Sequence, residues 1–227
     1  MTMYNSLGLQ DCFNYIGMEV YLFHDYSMLI VLFILVGVLF SVLVILGSGK
    51  FLVKGYRSSE FLEMTWTIVP GFLLMSLGVP SLFLMYYMEG ASKYDLTVKV
   101  VGHQWYWSYE MGDYGSGLEF DSYMINLGDL MEGDYRLLEV DNSLVLPYLT
   151  KVRVLVGSGD VLHSWALPSL GLKVDACPGR LNNLSLGGYR SGSVYGQCSE
   201  ICGVNHSFMP IHVEWVSWED FLMAHST

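Results

Sequence analysis

The chain has 227 residues, 52% of them hydrophobic and 15% charged, with a formal net charge of −11. A mean hydropathy of +0.39 excludes an ordinary water-soluble globular protein and points to one folded domain joined to a small membrane part. The acidic balance argues against nucleic acid as a partner and for a basic one, and four cysteines are too few at this length for a disulfide framework.

Residues 1–26 carry Asp11, Glu19 and Asp25 but no Lys or Arg. A secretory signal wants a basic start and a mitochondrial transit peptide wants Arg with few acids, so this segment reads as part of the mature protein. Residues 27–47 hold no charge and match the roughly 20 residues a helix needs to cross hydrocarbon. Residues 48–63 form a loop with Lys50, Lys54 and Arg57, the only basic residues before Lys93. Positive charge places that loop on the cytoplasmic or matrix side and both termini on the other. A second apolar run, 64–88, returns across the bilayer, and its Pro70 and Pro80 are tolerated there. Both runs are apolar on every face, unlike a hairpin buried in a soluble protein. Glu60 and Glu63 stand where a carboxylate favours a helix N-terminus.

Residues 91–227 change texture to short β-rich runs: DLTVKVVG, HQWYWSYE, YRLLEVD, KVRVLVGS, VLHSWALP, GLKVDAC, GSVYGQC and PIHVEWV. Their alternation and turn punctuation predict an antiparallel sandwich or barrel. Within HQWYWSYE, Trp105 and Trp107 would share one strand face, as core residues. Asn183 and Asn205 begin N-x-S patterns that read as chance. This part carries sixteen acids against eight Lys and Arg, which is either a solvated surface or complementarity to a basic partner.

The chemistry concentrates in YGQCSEICGVNHSFM, where Cys198, Cys202, His206 and Met209 fall within a dozen positions. Thiolate, thioether and imidazole together select copper or zinc, and the thioether argues against zinc. A mononuclear blue-copper site takes one Cys and two His, so this loop has a thiolate too many and an imidazole too few. Two thiolates can instead bridge two ions, each completed by an imidazole and a weak axial ligand. His163 in DVLHSWALPSLGLK is the candidate second imidazole, with Met209 and the Glu200 main-chain carbonyl as axial ligands. A small disulfide between Cys198 and Cys202 is the competing reading, weakened by the His and Met that follow. Cys12 and Cys177 are isolated in sequence and read as free thiols.

With LGLQD, FHDYSMLIV, GHQWYWSYE, EFDSYM, RLLEVDN, DACPGRLN and YGQCSEICGVNHSFMP, the chain resembles the cytochrome c oxidase subunit 2 family over nearly its whole length. The resemblance implies a two-helix transmembrane hairpin followed by a cupredoxin-like Greek-key β-sandwich or barrel. It implies a dinuclear copper centre on His163, Cys198, Glu200, Cys202, His206 and Met209. In the family the Glu200 carboxylate also ligates a magnesium ion shared with subunit 1, and Glu63 lies at the entrance of a proton pathway, with Glu60 able to substitute. Trp105 would be the partly exposed residue through which an electron arrives from cytochrome c. Gln104, Tyr106, Glu110, Asp113, Asp121, Asp141 and Asp160 would form the docking patch. The electron would leave by way of His206 toward haem a of subunit 1. The implied setting is the mitochondrial inner membrane, among subunit 1, other oxidase subunits and lipid, with both termini in the intermembrane space. A quinol-oxidase subunit would lack these copper ligands. A membrane-tethered copper carrier outside an oxidase would need neither GHQWYW nor Glu63.

Overall fold

The computed structural model describes residues 8–48, 59–89, 93–112 and 117–225; Asp113 and the basic residues Lys50, Lys54 and Arg57 lie outside them. Contacts divide the chain into a helical unit, Glu19–Tyr87, and a β unit that takes in the N-terminal segment up to Met18 together with everything from Met88.

Helix α1 spans Tyr15–Ser48 and α2 spans Glu60–Glu89. Each starts before its expected apolar run, because the first turn is set by a cap and not by hydropathy. Asn14 Oδ1 accepts the Gly17 amide at 2.7 Å, and Ser59 Oγ accepts the Leu62 amide at 3.4 Å, both N-cap geometries. Glu60 and Glu63 therefore sit inside the first turn of α2. No residue of α2 is buried, and in α1 only Gly17 is. Helices apolar all round and uncovered belong in lipid or among partner helices. Pro70 and Pro80 lie within continuous helix.

In the β unit, β1 (Leu96–His103), β2 (Tyr106–Met111), β3 (Leu118–Ser122), β4 (Leu144–Pro147), β5 (Val152–Ser158), β6 (His163–Leu167), β7 (Leu172–Ala176), β8 (Asn182–Leu186), β9 (Gly192–Gln197) and β10 (Pro210–Val216) precede a short helix α3, Trp218–Ala224. They form sheets ordered β3-β2-β1-β5-β8, β4-β10-β9 and β6-β7. Alternate residues Val98 and Val100, Val152 to Val156, and Ile211 to Trp215 turn inward with Trp107, Tyr109 and Trp165 to make the core.

Three expectations are corrected. The sheets are mixed, since β1 runs parallel to β5 and β4 parallel to β10; Greek-key crossings put strands side by side that no hairpin joins. HQWYWSYE is not one strand: a turn at Gln104–Trp105 separates β1 from β2, so Trp105 and Trp107 do not share a face. YRLLEVD forms turns and a single bridge from Met124 to Val140, with Leu137 at φ 65°.

The N-terminal segment is built into the β unit. Phe13 donates its amide to the Ser169 carbonyl at 2.8 Å. Its ring packs 6.3 Å from that of Trp215, and the Arg190 guanidinium lies over it at 5.1 Å.

Candidate metal centre

The loop that joins β9 to β10 runs from Cys198 to Met209, so its two ends are fixed by antiparallel ladder pairs, the last of which is Gln197 with Pro210. Strand β6 delivers His163 from the side. The approach is close because residue 196 is glycine: a Cβ there would collide with the Ala166 carbonyl. The amide of Ser199 donates to the Ser164 carbonyl at 3.0 Å and ties loop to strand. Gly102 on β1 gives His163 its room, since a Cβ there would lie 2.9 Å from the imidazole.

Cys198 and Cys202 are free, buried thiols with sulfurs 4.0 Å apart. His163 Nδ1 faces Cys198 at 3.9 Å, and His206 Nδ1 faces Cys202 at 3.5 Å. The Met209 thioether lies 3.5 Å from the Cys202 sulfur, and the Glu200 carbonyl lies 3.3 Å from that of Cys198. Ligand atoms of His163, Cys198 and Cys202 lie within 4.8 Å of one another. Two thiol sulfurs and two imidazole nitrogens thus converge with one thioether and one carbonyl, so that each thiol has an imidazole and one weaker donor beside it. This donor set fits two soft ions held between bridging thiolates.

Electrostatics follow from the packing. Burial opposes ionisation of Cys198, but hydrogen bonds from His163 and the Glu200 and Ser164 backbone outweigh it and hold the thiol well below its usual range. Burial and then the charge of Cys198 push Cys202 up, so the pair gives up one proton readily and resists losing the second. Burial disfavours charge on His163, yet its bonds to Cys198 and Asp160 raise its pKa.

Asp160 is what orients that imidazole. Its Oδ1 lies 2.9 Å from His163 Nε2, fixing the ring so that Nδ1 faces the sulfur. Its Oδ2 accepts the Gln104 amide at 2.7 Å. Burial works against this carboxylate, but hydrogen bonds from His163, Val161 and Gln104 hold it below the usual range. Sequence reasoning placed Asp160 in a docking patch; the D-x-x-H spacing was the available signal for its contact with the histidine.

Around the centre, Trp105 is half-buried and Gln104 exposed. Gln104 Nε2 donates to the Cys202 carbonyl at 2.7 Å. Trp107 is buried, donates its indole N–H to the Met209 carbonyl at 3.2 Å and stands edge-on to His163 at 5.9 Å. Tyr106 stacks on His103 at 4.7 Å and on Tyr123 at 4.5 Å. Tyr123 adjoins two exposed acids: its hydroxyl reaches Asp121 at 3.5 Å, and its amide donates to Asp141 at 2.8 Å. Tyr106, Asp121 and Asp141 are therefore neighbours, whereas Glu110 is engaged by Lys99 at 2.6 Å. Glu63 belongs to the helical unit and is exposed.

Residues 96–216 match the family model described as cytochrome c oxidase subunit II, periplasmic domain, and residues 2–84 match its transmembrane domain. A cytochrome c oxidase subunit 2 from Branchiostoma floridae is 52% identical over 95% of this chain and 93% of its own length. One from Metridium senile is 50% identical over 96% and 88%. Among solved structures, the periplasmic domain of subunit II of cytochrome oxidase from Bradyrhizobium japonicum is 46% identical, covering 60% of this chain and 94% of that one, with a TM-score of 0.55.

Proposed function

The chain belongs to the cytochrome c oxidase subunit II family, and on that premise we propose that His163, Cys198, Cys202, His206, Met209 and the Glu200 carbonyl hold a dinuclear copper centre through which the oxidase receives its electrons. The observation that carries this reading is the pair of buried thiols 4.0 Å apart, each faced by its own imidazole nitrogen. When bound, such a copper pair stores one electron and exchanges it with little change in its ligands.

The chain's own contribution is fixed geometry. Strands β6, β9 and β10 hold the donors, Asp160 orients His163, and burial of both thiols excludes water from the sulfurs. Trp105, half-buried beside the loop, receives the electron from reduced cytochrome c. Tyr106, Asp121 and Asp141 form the centre of the docking surface, to which Glu110 and Asp160 also belong; Asp113, assigned to it from the sequence, lies outside the described residues. Complementary charge suits such a contact because it raises the association rate and still allows quick release. Electrons pass on to haem a of subunit 1, where oxygen is reduced to water with proton pumping.

The Glu200 carboxylate contributes to a magnesium ion shared with subunit 1, as hard oxygen ligation requires. Glu63, with Glu60 beside it, stands at the entrance of the proton pathway. Residues 27–47 and 64–88 are the parts of α1 and α2 within the hydrocarbon; residues 60–63 of the expected 48–63 loop are the first turn of α2. The animal relatives support the mitochondrial inner membrane, and the positive charges between the two apolar runs support both termini in the intermembrane space. A copper carrier outside an oxidase is disfavoured because the family match spans both the membrane and the β parts.

The test is copper stoichiometry and electron paramagnetic resonance on the full chain in its purified complex. Two coppers per chain sharing one unpaired electron is the expected result, lost in Cys198→Ser and in Cys202→Ser. A single copper with a mononuclear spectrum overturns it.

A further inference from the structure

Trp105 lies in the turn between β1 and β2, outside any ladder. Its indole nitrogen is buried and has no hydrogen-bond partner among the described residues, so the ring is not held by its own polar group. It rests on Gly203, where a Cβ would come within 3.1 Å of it. The Cys202 carbonyl belongs to the peptide unit that joins Cys202 to Gly203, the surface on which the indole lies. That carbonyl accepts the Gln104 side-chain amide at 2.7 Å. On its other side, the Gln104 backbone N–H is held by Asp160 at 2.7 Å, the carboxylate that also holds His163. One residue, adjacent in sequence to Trp105, is thus bonded both to a ligand of the loop and to the residue orienting another.

We propose that Gln104 is a positioning residue that locks the Trp105 turn onto the Cys202–Gly203 peptide, and that its amide works inward instead of serving as a contact for the arriving protein. This rests on the reading of Trp105 as the electron-receiving residue. Gln104 is exposed, which is why its position suggests docking. Yet one of its two amide N–H donors already satisfies the Cys202 carbonyl, which ties the side chain to the loop and sets the orientation of the whole amide. Without that bond, the turn keeps its closing His103–Tyr106 pair and the backbone bond to Asp160 but loses its side-chain tie to the loop, and the indole can slide over a glycine that offers no side chain to stop it.

The test uses the assembled oxidase with Gln104→Met, which keeps length but has no donor, and Gln104→Glu, which sets an acceptor against the carbonyl and adds negative charge. Three quantities are read: binding of oxidised cytochrome c, the first-order electron-transfer rate within the preformed complex after flash reduction, and copper content with its resonance spectrum. Small misplacements of reacting groups carry large rate penalties, so both variants should slow the first-order rate about tenfold or more. Binding to Gln104→Met should stay within about twofold of the parent, and copper content should not change. A docking contact gives the reverse: unchanged first-order rates, weaker binding in Gln104→Met, and tighter binding of a basic partner in Gln104→Glu. That result overturns the assignment, as does loss of copper from both variants, which would make Gln104 a support of the ligands themselves. Trp105→Phe separates the two premises: a parental rate in that variant refutes the role of Trp105, whatever the Gln104 variants do.

Discussion

Asp160 and His212 show how neighbouring groups decide what a histidine does. His163 is buried and charge-stabilised by a carboxylate 2.9 Å away, so its ring has one orientation. Removing such a partner from a ligating histidine lowers metal affinity about 10–100-fold. Asp160→Ala should do so here, read by copper competition with a soluble chelator, while Asp160→Asn, which keeps a hydrogen-bonding side chain, should lose less. His212, on the face of β10 opposite Ile211 and Val213, is buried and stacked on Tyr195 at 4.3 Å. Carboxylates of Glu139 and Glu214 stand 3.7 and 3.9 Å from its two nitrogens, too far for hydrogen bonds, so burial prevails and its pKa is lowered. In the unfolded chain it titrates near ~6.5, above the folded value. The unfolded state then binds the proton more tightly, so the stability it contributes is full above that pH and is lost as pH falls through the folded value. His212→Gln should flatten the drop in melting temperature between neutral and mildly acidic pH; an unchanged drop would assign it to other groups. Cys198, Cys202, His206 and Met209 were legible from spacing alone because a single loop carries them. The inward bonds of Gln104 were not, because it reaches partners 56 and 98 positions away that only the fold brings near.

Strand β9 has to approach β6 closely for Cys198 to meet His163, and glycine at 196 permits it. In Gly196→Ala the new methyl meets the Ala166 carbonyl, a backbone atom with no rotamer by which to yield. Overpacking of this kind costs about 1–3 kcal/mol, occasionally more. The variant should melt lower and also retain less copper, because the same strand separation pulls the thiol from the imidazole. Gly187→Ala makes a fair control, since its nearest neighbour would be an ordinary 3.5 Å away. Hydropathy and alternation announced both membrane runs and the texture of β1, β5, β6, β9 and β10. They missed where the helices begin, because Asn14 and Ser59 act through one hydrogen bond each. They also read HQWYWSYE and YRLLEVD as unbroken strands. β-propensity reflects a half-buried pleated surface, and in those segments tertiary contacts took precedence: the first bends so that Gln104 can meet Asp160 and Cys202, the second so that Glu139 can meet Tyr195 at 3.0 Å.

The whole molecule joins an apolar helical unit to an acidic β unit, and the partition does not follow the chain. The N-terminal segment closes the β core from outside its sequence range, so a fragment cut at residue 91 lacks a piece of its own packing. Phe13→Ala in the full chain should destabilise the β unit by about 3 kcal/mol, as Phe-to-Ala changes at buried sites do, and a fragment beginning at residue 91 should show a comparable loss. The charge of the β unit acts at longer range. Exposed charges more than about 8 Å apart are largely screened at physiological ionic strength, so the acids of the proposed docking surface would act on a basic partner over the last step of its approach. Asp121→Asn and Asp141→Asn should therefore raise KM for reduced cytochrome c and weaken its dependence on salt, with the first-order rate in the bound complex unchanged. If both substitutions instead slow that rate and leave KM alone, these acids position the Tyr106–Tyr123 stack and the attraction arises elsewhere on the acidic surface.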